Sequence, residues 1–163
     1  MQKSKINRIY LDLDGVIADF DKRYKSRYKM LPREAEKNKE FDKFFTQFIA
    51  DGEFATLELM PDALDLINFL RSLDVPTEIL SSSASEKRDP DIRPQKLEWL
   101  KNNNIEFPAI IVPGKRHKKD YSNASSILID DTQVNIDQWR NEGGIGILHT
   151  NALTTINLLR QYV

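Results

Sequence analysis

Two aspartates, Asp12 and Asp14, close the apolar run in "RIYLDLDGVIADF". A carboxylate is costly to bury without a partner, so an apolar strand running into two of them implies a positive group at its end. Another apolar run, "SILIDD", also ends in acids, Asp130 and Asp131. If these two ends meet, three or four carboxylates converge and repel one another unless a cation sits among them. An all-oxygen donor set without His or Cys suits a hard ion, Mg²⁺ above all. A third run, "PTEILSSS", ends at Ser81, followed by Ser82 and Ser83, whose hydroxyls can hydrogen-bond anionic oxygens. A fourth, "AIIVP", leads into "GKRHKKD", which carries Lys115, Arg116, Lys118 and Lys119. A metal ion, a hydroxyl and a lysine around a carboxylate would neutralise phosphoryl oxygens and leave that carboxylate free to attack phosphorus.

Such residues need a scaffold that brings several strand ends to one edge. The four runs above and "GIGILH" are continuous rather than alternating, the pattern of strands buried on both faces of a parallel sheet covered by helices. Helical patterns separate them over Asp62–Leu73, Pro94–Asn103, Val134–Glu142 and Ala152–Tyr162, the third ending at Gly143-Gly144. Strand and helix in alternation give a doubly wound, Rossmann-like α/β domain with about five parallel strands. The fully apolar body of the first strand places it mid-sheet, with Asp12 and Asp14 at its carboxyl end, where open parallel sheets bind ligands. One segment breaks the rhythm. Residues 19–60 are too long for a simple loop and read as helices over Asp19–Lys29 and roughly Arg33–Ala50, rich in Phe and Tyr. The expected organisation is a catalytic core (1–18 and 61–163) with a small helical cap (19–60).

Composition narrows the function. The 163 residues suit one domain. A net charge of −1 gives no global field for nucleic acid or membranes. The absence of cysteine excludes disulfides, thiol nucleophiles and zinc-thiolate sites. The start of the chain has no apolar run adequate for a signal peptide or a membrane span, so a cytoplasmic protein is expected.

The motifs, taken in order, resemble those of the haloacid dehalogenase (HAD) superfamily. "DLDGV" is similar to its first motif, "EILSSS" to its second, "KRHKKD" stands in the place of its lysine motif, and "LIDD" is similar to its fourth. The resemblance runs from Arg8 to His149. Asp14, the second acid of the first motif, favours phosphoryl transfer over dehalogenation. Within the superfamily, "DLDGVIADF", "FATLELMPDALDLINFL" and "ILIDDTQVNIDQWRNEGGIGILHTN" most resemble the 5′(3′)-deoxyribonucleotidases and their bacterial and phage-type relatives. That resemblance implies a phosphomonoesterase in which Asp12 is the nucleophile and forms an aspartyl-phosphate. Asp14 would protonate the leaving oxygen and then activate water. Mg²⁺ would be held by the Asp12 carboxylate, the Asp14 carbonyl and Asp130. Ser81 and a lysine would hold the phosphoryl group, and cap aromatics would surround a base. The implied substrate is a nucleoside monophosphate, with no membrane and no stable nucleic-acid partner; a homodimer is left open.

Several residues carry two readings. Asp131 is a residue that supports the metal ligands, or a helix N-cap, before it is a direct ligand. Ser82 and Ser83 are turn residues or phosphate contacts. The lysine run is a solvated face with one functional member. Lys118 is favoured, as K-x-x-Y-S before a strand, with Lys115 and Lys119 as alternatives. Phe20 is the base-contacting candidate among aromatics that otherwise build a small core. His117 and His149 carry no catalytic signal, and Trp99 and Trp139 read as core. Alternative functions are a phosphatase of another small metabolite, a polynucleotide 3′-phosphatase, and, in a different class, a non-catalytic protein that binds a phosphorylated ligand.

Overall fold

All five apolar runs form strands: β1 (Arg8–Leu11), β2 (Thr77–Ser82), β3 (Ala109–Val112), β4 (Ser126–Asp130) and β5 (Ile145–Leu148). In the computed structural model, which describes residues 5–163, they join in one parallel sheet of order β3-β2-β1-β4-β5. Central β1 pairs Ile9 with Thr77 on one flank and with Ile127 on the other. The chain order runs outward from β1 to β3, then crosses to β4 on β1's far side. The reversal lies between β1 and β4, so the ligand crevice of an open α/β sheet opens beyond their carboxyl ends. Asp12 follows β1 and Asp130 ends β4.

Between β1 and the next sheet-flanking helix come α1 (Phe20–Tyr28), α2 (Pro32–Lys37), α3 (Phe41–Ala50) and a 3₁₀ turn, Glu53–Thr56. The insertion leaves and returns by two adjacent, hydrogen-bonded segments. The Asp19 N–H donates to the Glu58 carbonyl (2.8 Å) and the Met60 N–H to that of Ile17 (2.8 Å). The Arg33–Ala50 stretch, expected as one helix, is two. Lys39 adopts a left-handed conformation (φ 57°), and the Glu40 N–H reaches back to the Ala35 carbonyl at 2.8 Å, which ends α2 and allows α3 to restart at a new angle.

The remaining helices are α4 (Ala63–Arg71), α5 (Asp89–Asn102), α6 (Gln133–Asn141) and α7 (Ala152–Leu159). α5 starts five residues before the expected Pro94. Pro90 lies in its first turn, where no N–H is needed. The Asp89 carboxylate there receives the Ser83 hydroxyl and the Arg93 guanidinium (2.9 Å). These contacts hold the first turns in place although Pro94 forgoes its own helical bond.

Side chains alternate across the sheet and fill two cores. Ile9, Leu11, Ile79, Ile127, Ile129 and Ile147 pack with Leu66 and Ile67 of α4, Trp99 of α5 and Leu159 of α7. Tyr10, Leu80 and Leu128 face Ile136 and Trp139 of α6 on the other side. The aromatics of the insertion, Tyr24, Phe45, Phe48 and Phe54, are continuous with the first of these cores. Trp99 ties the two parts together by donating its indole N–H to the Leu57 carbonyl (2.8 Å).

Candidate active site

The end of β1 is shaped by a tight turn. The N–H groups of Val16, Ile17 and Ala18 all converge on the Leu13 carbonyl at 2.9–3.1 Å. Gly15 takes φ +80°, and a Cβ there would lie 1.9 Å from Asp131 Oδ2. Only glycine satisfies both the backbone and that contact. The turn therefore brings the Asp12–Asp14 backbone directly against the segment after β4.

Asp12, Asp130 and Asp131 meet there, each offering a carboxylate oxygen, all within 4.8 Å of one another. One ammonium answers them. Lys118 Nζ lies 3.0 Å from Asp12 Oδ1 and donates to Asp130 Oδ2 at 2.8 Å. Asp130, fully buried, also accepts from Asn135 Nδ2 (3.0 Å) and the Thr132 N–H (2.9 Å). Asp12 accepts from the Leu13 N–H at 2.9 Å.

Electrostatics match a cluster short of positive charge. Burial, then the repulsion of Asp130, push the Asp12 carboxyl up to about 8, although Lys118 opposes both. The Asp131 residue is exposed, but its carboxyl is crowded against Gly15; loss of hydration there and Asp130 push it up to about 6. Burial alone would lower the Lys118 ammonium, but Asp12 and Asp130 override it and hold the group above its usual value. Three converging carboxylates with one lysine leave room in charge for a hard dication, and an oxygen-only donor set fits Mg²⁺. The Asp14 carboxylate points elsewhere, so in this geometry only its backbone could join the set.

Lys96 makes a second cationic station. The residue is 4% exposed, and its ammonium donates to Asp14 Oδ2 (2.9 Å), Ser81 Oγ (2.8 Å) and the Ser82 carbonyl (2.8 Å). The sequence reading missed this residue. A signal was present: Ile92, Lys96, Trp99 and Leu100 share the buried stripe of α5, and a lysine at a core position needs a polar reason to be there. Asn135 was missed as well.

The lysine run forms a 3₁₀ helix, Lys115–Tyr121. With three residues per turn, positions 115, 118 and 121 share a face. Lys115, one of the two alternatives, lines the same cavity as the favoured Lys118, while Lys119 is exposed on another face. Ser82 also lines the cavity, with its Oγ accepting the Ala84 N–H at 3.0 Å. Ser83 is turned away into the Asp89 network.

Asp12, Asp14 and Asp131 with Lys96 and Lys118 floor a cavity of about 520 Å³ whose walls include Phe20, Phe41, Phe45 and Phe54. Phe20 stacks on Phe54 at 5.5 Å and meets Phe48 edge-on at 5.1 Å. Phe20 is thus both a packing residue and a wall of the cavity. His149 lies outside this lining, with its Nδ1 at 2.7 Å from the buried Thr155 hydroxyl, and His117 is near Asp120 at 3.7 Å. Among the described residues no helix is long and apolar enough to cross a membrane.

No family model and no curated relative matches the chain. Solved structures do match in fold. A HAD-superfamily hydrolase from Ehrlichia chaffeensis aligns with a TM-score of 0.57 at 12% identity, covering 99% of each chain. L-2-haloacid dehalogenase from Xanthobacter autotrophicus aligns at 0.59 and 13% identity, over 97% of this chain and 84% of its own. A HAD family enzyme from Bacteroides thetaiotaomicron, an aspartate-to-alanine mutant in complex with magnesium and inorganic phosphate, aligns at 0.51 and 13% identity, over 89% and 94%. The five-stranded parallel core with acids at the ends of β1 and β4 is thus built on the fold of HAD-superfamily hydrolases.

Proposed function

We propose that the protein is a Mg²⁺-dependent phosphomonoesterase that works through an aspartyl-phosphate on Asp12, with nucleoside monophosphates as substrates. The observation that carries this reading is the pairing of two lysine-held stations on one cavity floor. Lys118 serves Asp12 and Asp130, and Lys96 serves Asp14 and Ser81, beneath an aromatic wall. The magnesium and phosphate of the Bacteroides neighbour support it by analogy of fold.

Asp12, Asp130 and the Asp14 backbone would hold the metal, with Asp131 at its edge; bound there, Mg²⁺ supplies charge neutralisation for the attacking carboxylate and phosphoryl oxygens. An Asp12 oxygen attacks phosphorus, and the bond from phosphorus to the ester oxygen breaks. The leaving oxygen takes a proton from Asp14. A water molecule then attacks the phosphorus of the acyl phosphate and gives its proton back to Asp14. Asp12 departs as carboxylate, so the net change is ester plus water to alcohol plus phosphate. Ser81 and Lys96 bind the phosphoryl oxygens. When the Lys96 ammonium swings to phosphate it leaves Asp14, which frees that carboxyl to carry the proton. Phe20, Phe41, Phe45 and Phe54 offer a planar base a surface for stacking.

The test is phosphate release from a panel of nucleoside monophosphates and sugar phosphates, with Mg²⁺ and with EDTA. The expected result is Mg²⁺-dependent turnover, fastest on nucleotides. Metal-independent turnover, or a sugar phosphate preferred over every nucleotide, would overturn the reading.

A further inference from the structure

The cavity holds four carboxylates, and three of them belong to the floor. Asp12 and Asp131 belong to the acidic cluster and Asp14 pairs with Lys96. The fourth, Asp21, lines the aromatic wall. It sits in the first turn of α1, which Asp19 caps by accepting the Lys22 N–H at 3.2 Å. Its neighbour in sequence, Phe20, lines the same cavity, so one turn of helix presents a ring and a carboxylate together. Arg33 of α2 lies 3.7 Å from Asp21 Oδ2, and both side chains are more than half exposed. Such a pair is weak, so it can orient the carboxylate without occupying it fully.

An ionised carboxylate only accepts hydrogen bonds. Whatever part of a substrate reaches Asp21 must therefore donate. The part that reaches it is the one seated against the aromatic wall, since phosphate is drawn to the lysines of the floor. A flat, stacked group with N–H donors on its edge meets both demands. Among bases, guanine presents two adjacent donors, N1–H and the 2-amino group, which can address both oxygens of one carboxylate. Hypoxanthine keeps N1–H and lacks the amino group.

We propose that Asp21 is a specificity residue of this pocket, accepting hydrogen bonds from the donor-bearing edge of the base and favouring guanine. The assignment rests on the nucleotidase reading above. It is tested by kcat/KM for deoxyguanosine and deoxyinosine 5′-monophosphates, which share phosphate and sugar and differ at one amino group, with p-nitrophenyl phosphate as a base-free ester. Wild type should prefer the guanine nucleotide by ~10-fold or more, the scale of one hydrogen bond to a charged acceptor. In Asp21→Ala the ratio should collapse to within about twofold, and in the near-isosteric Asp21→Asn, which keeps the side-chain volume, it should fall as well. A wild-type ratio near one, or a preference that persists in both variants, would overturn the assignment while leaving nucleotide hydrolysis standing. Turnover of p-nitrophenyl phosphate without turnover of either nucleotide would overturn the nucleotidase reading, and this assignment with it.

Discussion

Replacing Lys118 by Met keeps most of the stem and removes the one ammonium that touches both Asp12 and Asp130. The side chains involved are almost fully enclosed, at 4% exposure for Lys118, 10% for Asp12 and 0% for Asp130. Removing one partner of a buried ion pair typically costs 3–5 kcal/mol, so a loss of ~4 kcal/mol is expected when Asp130 is left without its cation. Asp130 keeps its bonds from Asn135 and Thr132, which limits the loss. For a domain of this size, ~4 kcal/mol corresponds to roughly 8–16 °C in Tm. The assay is thermal unfolding by circular dichroism at neutral pH, in EDTA and again in Mg²⁺. In EDTA the variant should melt well below wild type. Mg²⁺ should raise its Tm by more than it raises that of wild type, because the ion becomes the cluster's main counter-charge. Catalysis should fall by at least ~10²-fold even with Mg²⁺. A Tm within about 2 °C of wild type in EDTA would refute the claim that Lys118 neutralises the cluster.

Lys96→Met should lower kcat/KM by ~10²-fold and cost about 2 kcal/mol in stability, since Ser81 at 0% exposure loses its partner; unchanged kinetics would remove Lys96 from the site. Gly15→Ala should cost ~2 kcal/mol or more from the positive φ alone, and should weaken Mg²⁺ binding by displacing Asp131; calorimetric titration with Mg²⁺ checks the second effect. In EDTA, stability should fall as pH rises. The folded Asp12 keeps its proton up to about 8, whereas the unfolded chain gives it up near the ordinary carboxyl value of 3.8. The folded state therefore binds more protons between those values, and the penalty grows across that window and is complete above it. Saturating Mg²⁺ should flatten the profile, and a metal-free Tm that climbs between pH 5 and ~8 would contradict the acid-crowding picture.

The sheet was legible because its strands are short, continuous apolar runs that end abruptly in acids or serines. Burial on both faces demands that pattern, so "SILIDD" and "EILSSS" announce strand, position and exposed end together. The order of these ends also made the meeting of Asp12 with Asp130 foreseeable. Other features depend on geometry that residue type does not encode. The spacing of Lys115, Lys118 and Tyr121 serves a 3₁₀ helix as naturally as the edge of an α-helix, so residue type alone does not set which lysines reach the cavity. The break at Lys39 depends on a left-handed conformation at a residue with no special tendency toward it. Lys96 was hidden because a charged residue on a helix reads as solvent-facing unless its neighbours at helical spacing are weighed. Ile92, Trp99 and Leu100 show that this face is buried. Asp21 was unremarkable in a charged segment until α1 set it beside Phe20 in the cavity wall.

The central claim is that Asp12 carries the phosphoryl group in turnover, and the direct measurement is an acid-quenched reaction on a substrate labelled in its phosphate. Wild type mixed with excess labelled nucleoside monophosphate and Mg²⁺ is quenched within one turnover, digested, and its peptides are mapped for the label. An acid-stable, base-labile phosphoryl group is expected on the peptide containing Asp12, and none in Asp12→Asn, whose turnover should fall by ~10³-fold, equivalent to about 4 kcal/mol of barrier. Label on a different residue, or near-wild-type turnover by pure Asp12→Asn protein, would contradict it.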